Sequence, residues 1–169
     1  MTVLNKEEIR LLLQNPTPLL EGFTDLEAQL QPNGVDLSLK EVFSYASPGA
    51  VTRDNINRRL SELVPLAFDQ TGGIGLSPGI YSITYNEIVS LPRDVAAFGF
   101  PRSTLLRCGA TIYTAVWDAG YSGRSQSLLA VLNDKGIRLE KNARVLQLSF
   151  LRLQSDTDSY NGLFQHENK

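Results

Sequence analysis

The stretch from Phe100 to Gly123, FPRSTLLRCGATIYTAVWDAGYSG, sets a cation, two hydroxyls, a carboxylate and an aromatic ring close together. Arg102, Ser103 and Thr104 follow Pro101, whose ring fixes one backbone torsion, at the end of an apolar run. An arginine's forked donors suit phosphate oxygens, adjacent hydroxyls can donate to the same anion, and backbone N–H groups of such a turn can join them. The same tetrapeptide also describes an ordinary surface turn with a solvated arginine. Asp118 follows the apolar approach TAVW and opens DAGYSG. A carboxylate at the end of a buried strand can hold a water, take its proton and aim it at an electrophile within hydrogen-bonding reach. An Asp-x-Gly aspartate can instead bond its own backbone in a turn. Tyr121, between Gly120 and Gly123, offers a ring face to a sugar or a ring to the core.

Two further polar residues sit inside apolar runs. Asp36, in QPNGVDLSL, alternates with Val35, Leu37 and Leu39, so it points away from them or into a functional pocket. Gln147, in ARVLQLSFLRL, needs partners for its amide when buried, and ligand and backbone are both candidates.

These groups have to be positioned by a chain of 169 residues, 42% hydrophobic and 20% charged, which fits a single domain spanning 1–169. Thirteen glycines and eight prolines indicate many tight turns. With 16 Lys and Arg against 18 Asp and Glu the net charge is −2, so no global basic field exists for polymeric nucleic acid. Cys108 is the only cysteine and His166 the only histidine, which excludes an internal disulfide and a Cys/His zinc cage. The start, MTVLNKEEIRLLLQ, carries early acids, and nowhere do about 18 consecutive apolar residues occur. No export or membrane segment is expected, and the location expected is cytoplasmic.

Asn5, followed by Glu7, Glu8 and then Ile9, Leu11, Leu12 and Leu13, reads as an N-capped helix that stops before Pro16. The spacing of Ile56, Leu60 and Leu63 suggests a second helix over Asp54 to Leu63. From Ile74 onward, short β-branched and aromatic runs alternate with turn residues, the pattern of an antiparallel sandwich or barrel. Strands are expected at Gly79 to Ile83, Ile88 to Ser90, Val95 to Phe100, Thr111 to Val116, Ser127 to Leu132 and Val145 to Leu153. The tail 154–169, QSDTDSYNGLFQHENK, is polar and should be mobile unless something holds it.

Five segments occur in one order: QPNGVDLSL, FPRSTLLRCG, AVWDAGYSG, ARVLQLSFLRL and YNGLFQ. Together they resemble the ordered motifs of the dUTPase and dCTP deaminase superfamily, spanning Gln31 to Gln165. The resemblance implies an all-β fold, a distorted jelly roll or β-clip with a short N-terminal helix and minor helical turns, assembled as a homotrimer with active sites between subunits. It further implies a deoxynucleoside triphosphate substrate and Mg2+ held mainly by that triphosphate rather than by direct protein ligands. By that likeness Arg102, Ser103 and Thr104 hold phosphates, Asp118 is the catalytic or water-orienting acid, and Tyr121 packs against deoxyribose. Gln147 matches a phosphate-contacting glutamine and Asp36 the first motif's aspartate, while Arg107 matches an arginine more typical of the deaminase-like branch. Tyr160 and Gln165 fall in the segment that closes over the phosphates in relatives, where Leu163 stands in place of a common lysine and no glycine-rich, arginine-containing lid occurs.

Deaminase members carry a glutamate in the strand after the Asp-x-Gly-aromatic turn. Here no carboxylate lies between Asp118 and Asp134, and Ala130 falls at the aligned position. Loss of such a proton-transfer group forfeits about 10²- to 10⁴-fold in rate, and one His with one Cys cannot form the metal site of zinc deaminases. The resemblance therefore implies dUTP hydrolysis to dUMP and pyrophosphate. A dCTP deaminase, a bifunctional enzyme and a non-catalytic nucleotide-binding regulator remain the alternatives.

Overall fold

The computed structural model describes residues 2–169. The N-terminal segment is β1 (Thr2–Val3), α1 (Lys6–Leu13), β2 (Leu20–Glu21), α2 (Leu26–Gln29) and β3 (Leu30–Gln31). The long β4 (Gly34–Tyr45) and the ribbon it forms with β5 (Leu63–Leu66) follow, then β6 (Gly73–Leu76), β7 (Gly79–Tyr85), β8 (Ile88–Ser90) and β9 (Val95–Pro101). A short α3 (Ser103–Arg107) leads to β10 (Ala110–Tyr113), β11 (Ser122–Gly123), β12 (Gln126–Val131), β13 (Ile137–Glu140) and β14 (Arg144–Arg152).

The fold is an antiparallel β-clip whose main sheet runs β1-β14-β4-β7-β12-β10, with β9 added on β14 and β3 and β5 on β4. β4 makes the curl. Its first half pairs with β14 through Val35 to Ser38, and after a register shift between Leu39 and Glu41 its second half pairs with β7 and β5. A shift of that kind bends a strand and raises its twist, so one strand serves both halves. The far edge returns to the near one where Trp117 bridges Ala97 of β9. Gly99 is needed there, because a Cβ would stand 2.8 Å from Leu146 and 3.0 Å from Thr114 and Trp117. The core between the layers holds Leu37, Leu39, Val42, Ile83, Leu146 and Phe150, all excluded from solvent.

The expected strands recur with ends shifted by a few residues, except that β10 stops at Tyr113, three residues short of Val116. The first helix forms as its residues indicate. Asn5 Oδ1 accepts from Glu7 N and Glu8 N at 3.0 Å while Glu8 returns a carboxylate to Asn5 N at 2.9 Å, a complete capping box.

The second expected helix, Asp54 to Leu63, is absent. Asp54 Oδ1 accepts from Ile56 N, Asn55 takes a left-handed φ of 59°, and the segment turns back on itself. Ala50 and Arg59 then exchange both backbone hydrogen bonds, and Ala46 N donates to Glu62 O. The apolar spacing had no core to face: Ile56 is 84% exposed and Leu60 57%.

Candidate active site

The phosphate-type turn is built on a buried ion cluster. Asp36 opens β4 with 1% of its surface exposed, and its Oδ2 meets Arg102 Nε at 3.0 Å and Arg144 Nη1 at 3.3 Å. Burial pushes the Asp36 carboxyl up, and the two guanidiniums pull it back. One carboxylate faces two cations, so the cluster keeps a surplus positive charge. Arg102 is the N-cap of α3, held by its own N–H on Val145 O at 3.0 Å. Ser103, Thr104 and Arg107 are exposed along that short helix. Gln147 lies opposite Asp36 on one side and Phe100 on the other, so it shares the Asp36 face.

Asp118 is positioned by its neighbours. Trp117 and Ala119 are buried on either side, and Trp117 Nε1 donates to Ser125 Oγ at 3.0 Å. The main chain closes the turn, with Tyr121 N donating to Asp118 O at 3.0 Å and Gly120 at φ 79°. The carboxylate is thereby left exposed on a cleft of about 780 Å3, and it forms no ion pair among the described residues. That volume is in the range of small-molecule sites.

Tyr121 lines the same cleft. Its ring meets Tyr160 edge-on at 5.7 Å and its hydroxyl donates to Glu167 Oε1 at 2.9 Å. Burial, with Glu167 adjoining, pushes the Tyr121 hydroxyl up; burial also raises the Glu167 carboxyl, against the pull of that hydrogen bond.

The tail has a holder. Tyr160 N donates to Ala119 O, and His166 N to Ser122 O. Gln165 Oε1 accepts from Ser122 N at 2.8 Å and its Nε2 donates to Gly120 O at 2.9 Å. The Gln165 amide is thus engaged with the Asp118 turn itself, outside the cleft lining, while Tyr160 lines the cleft.

Within one chain the expected residues form two groups. Asp36, Arg102, Ser103, Thr104, Arg107 and Gln147 belong to the turn around α3; Asp118, Tyr121 and Tyr160 belong to the cleft, which none of the first group lines. The absence of a carboxylate between Asp118 and Asp134 does not leave Asp118 as the one acid of the cleft among the described residues. The strand after the turn is free of carboxylates, and Ala130 is buried away from the cleft, but Glu167 reaches the cleft from the tail. It is 49 residues beyond Asp118, in a stretch with no periodicity to place it. Arg144 is missed for a similar reason, since its role depends on the cross-strand register of β14 with β4.

An antiparallel β-clip carrying these turns in this order defines a protein of the dUTPase and dCTP deaminase superfamily. The family model described as dCTP deaminase-like matches residues 3–153, and the chain belongs to that family. A probable deoxyuridine 5'-triphosphate nucleotidohydrolase of Methanococcoides burtonii is 52% identical over 170 residues, covering 99% of either chain. One of Archaeoglobus fulgidus, of the same description, is 46% identical, over 99% of this chain and 98% of its own. The crystal structure of 2'-deoxycytidine 5'-triphosphate deaminase from Agrobacterium tumefaciens matches with a TM-score of 0.65 at 27% identity, over 88% of this chain and 47% of that one.

Proposed function

We propose that this protein hydrolyses dUTP to dUMP and pyrophosphate in pyrimidine deoxynucleotide metabolism in the cytoplasm. The observation that carries the reading is Asp118, an unpaired carboxylate presented on a cleft by buried residues, beside the ring of Tyr121. Full-length relatives described as probable deoxyuridine 5'-triphosphate nucleotidohydrolases support it.

Asp118 accepts a proton from a water and aims that water at the α-phosphorus; Tyr121 offers its ring to the deoxyribose. The Arg102 turn, with Ser103, Thr104 and Gln147, holds phosphate oxygens, and Asp36 orients the guanidinium. Among the described residues no three His, Cys, Asp or Glu side chains gather into a metal cage. Mg2+ would rest mainly on the triphosphate, with the Asp118 carboxylate available as a hard-oxygen donor. When bound there it spreads the developing negative charge over the phosphates.

Because the turn and the cleft are separate in one chain, the complete site would be made by the Arg102 turn of one subunit facing the Asp118 cleft of another, in a homotrimer. Phe98, Phe100 and Leu106, exposed around that turn, support a covered surface there. No helix among the described residues is long and apolar enough to cross a membrane.

The test is direct. Purified protein with Mg2+ is given dUTP, dCTP, dTTP and UTP separately, and pyrophosphate and ammonia are measured. Pyrophosphate from dUTP alone is expected. Ammonia from dCTP would instead favour deamination, the reading that a second acid, Glu167, on the cleft brings back. Release of neither product, with tight nucleotide binding, would leave a non-catalytic binder.

A further inference from the structure

The β4–β5 ribbon contributes to the cleft in a way that no motif of the sequence indicates. Its return arm carries Arg58 and Arg59, the only lysine or arginine among the described residues that line the cleft holding Asp118 and Tyr121. The arm is held by paired backbone. Ala50 N donates to Arg59 O at 2.8 Å, Arg59 N to Ala50 O at 3.0 Å, and Glu62 N to Ser47 Oγ at 2.9 Å. Gly49 lets the two arms approach closely, since a Cβ there would stand 3.0 Å from Ser61 Oγ and 3.3 Å from Arg59 O.

Most arginines of this chain are committed elsewhere. Arg10, Arg102, Arg138, Arg144 and Arg152 are in ion pairs, while Arg93 and Arg124 donate to backbone carbonyls. Arg58 and Arg59 form no ion pair among the described residues, although Asp118 and Glu167 line the same cleft. The charge balance gives that freedom a purpose. A triphosphate is a polyanion, and a cleft holding two carboxylates repels it unless cations face the same space. Two guanidiniums without partners supply that charge and the forked donors that phosphate oxygens accept.

We propose that Arg58 and Arg59 bind the phosphate chain of the substrate, in the same subunit as Asp118, as a second set of phosphate contacts besides the Arg102 turn. The inference rests on the dUTP-hydrolysing reading for the identity of the nucleotide, and on the ribbon geometry for the anion site itself.

The test uses the full chain with Arg58→Ala, Arg59→Ala and the double variant, and with Arg53→Ala as a control that removes a ribbon-tip charge outside the cleft. Equilibrium binding of dUTP, inorganic tripolyphosphate and deoxyuridine is measured by calorimetry, alongside KM and kcat for dUTP. Loss of a charge-assisted contact should weaken dUTP and tripolyphosphate about tenfold for each guanidinium. Deoxyuridine affinity should not change, KM should rise more than kcat falls, and the Arg→Lys variants should recover part of the loss. Tripolyphosphate binding unchanged relative to Arg53→Ala, or deoxyuridine weakened in step with dUTP, overturns the proposal. If the wild-type chain releases no pyrophosphate from dUTP but its tripolyphosphate binding still depends on Arg58 and Arg59, the anion site stands and the assigned reaction falls.

Discussion

Asp118 is held by what flanks it, with Trp117 and Ala119 buried and Tyr121 closing the turn through the main chain. Asp118→Asn keeps that frame and removes the base. Turnover of dUTP should fall by about 10²- to 10⁴-fold with nucleotide affinity retained, as steady-state kinetics set beside equilibrium binding would report. Asp36 tests a different chemistry. Its replacement by Ala leaves the guanidiniums of Arg102 and Arg144 without their shared carboxylate. Both arginines remain partly solvated, so a loss of about 2 kcal/mol in urea unfolding is expected rather than the larger cost of a fully buried broken pair. At this scale the residues legible in the sequence were those inside compact local motifs. Asp118 and Arg102 stand at turns that announce themselves, whereas Glu167, Arg58 and Arg59 reach the cleft only because distant segments fold onto it.

Among the elements, the tail depends on one turn. Gly120 has φ 79°, and a Cβ there would lie 2.7 Å from Ser159. Gly120→Ala should strain the turn by about 1 kcal/mol or more and push Ser159 away, so amides from Tyr160 to Glu167 should exchange faster with deuterium than in the parent. The corner between β7 and β8 carries a buried acid. Glu87 accepts from Ser38 Oγ and Gln29 Nε2 at 2.6 Å and from Ser38 N at 2.9 Å, and Gln29 Nε2 also donates to Asp36 O. Burial raises its pKa, with the Ser38 and Gln29 bonds pulling it back. A raised carboxyl binds its proton more tightly folded than unfolded, so its contribution is fully present below the unfolded pKa and is lost as pH rises through the folded one. Glu87→Gln should remove that part of the fall, making stability less pH-dependent across this interval in chemical denaturation. Strands were readable because a half-buried strand must alternate, as β14 does around Gln147. The segment from Asp54 to Leu63 misled because its helical spacing is a local pattern, while the pairing of Ala50 with Arg59 is not.

For the whole molecule, the separation of the Arg102 turn from the Asp118 cleft makes a prediction about assembly. Asp118→Asn and Arg102→Ala chains should each be inactive alone. Co-expressed, they should recover about a quarter of wild-type turnover, the share of intact sites in randomly mixed closed oligomers whose sites combine two chains. No recovery in a mixed oligomer would mean that each chain completes its own site. What the sequence alone determined was the class of fold, the first helix, most strands and the two turns that carry Arg102 and Asp118. Those follow from alternation, capping and turn chemistry, which act between residues a few positions apart. Tertiary structure alone decided that Asp36 would serve two arginines, that the tail would bring Glu167 to Tyr121, and that a ribbon would present Arg58 and Arg59 to the cleft. Each of those contacts joins segments far apart in the chain, and their meeting is set by sheet register and closure, which no short window of sequence contains.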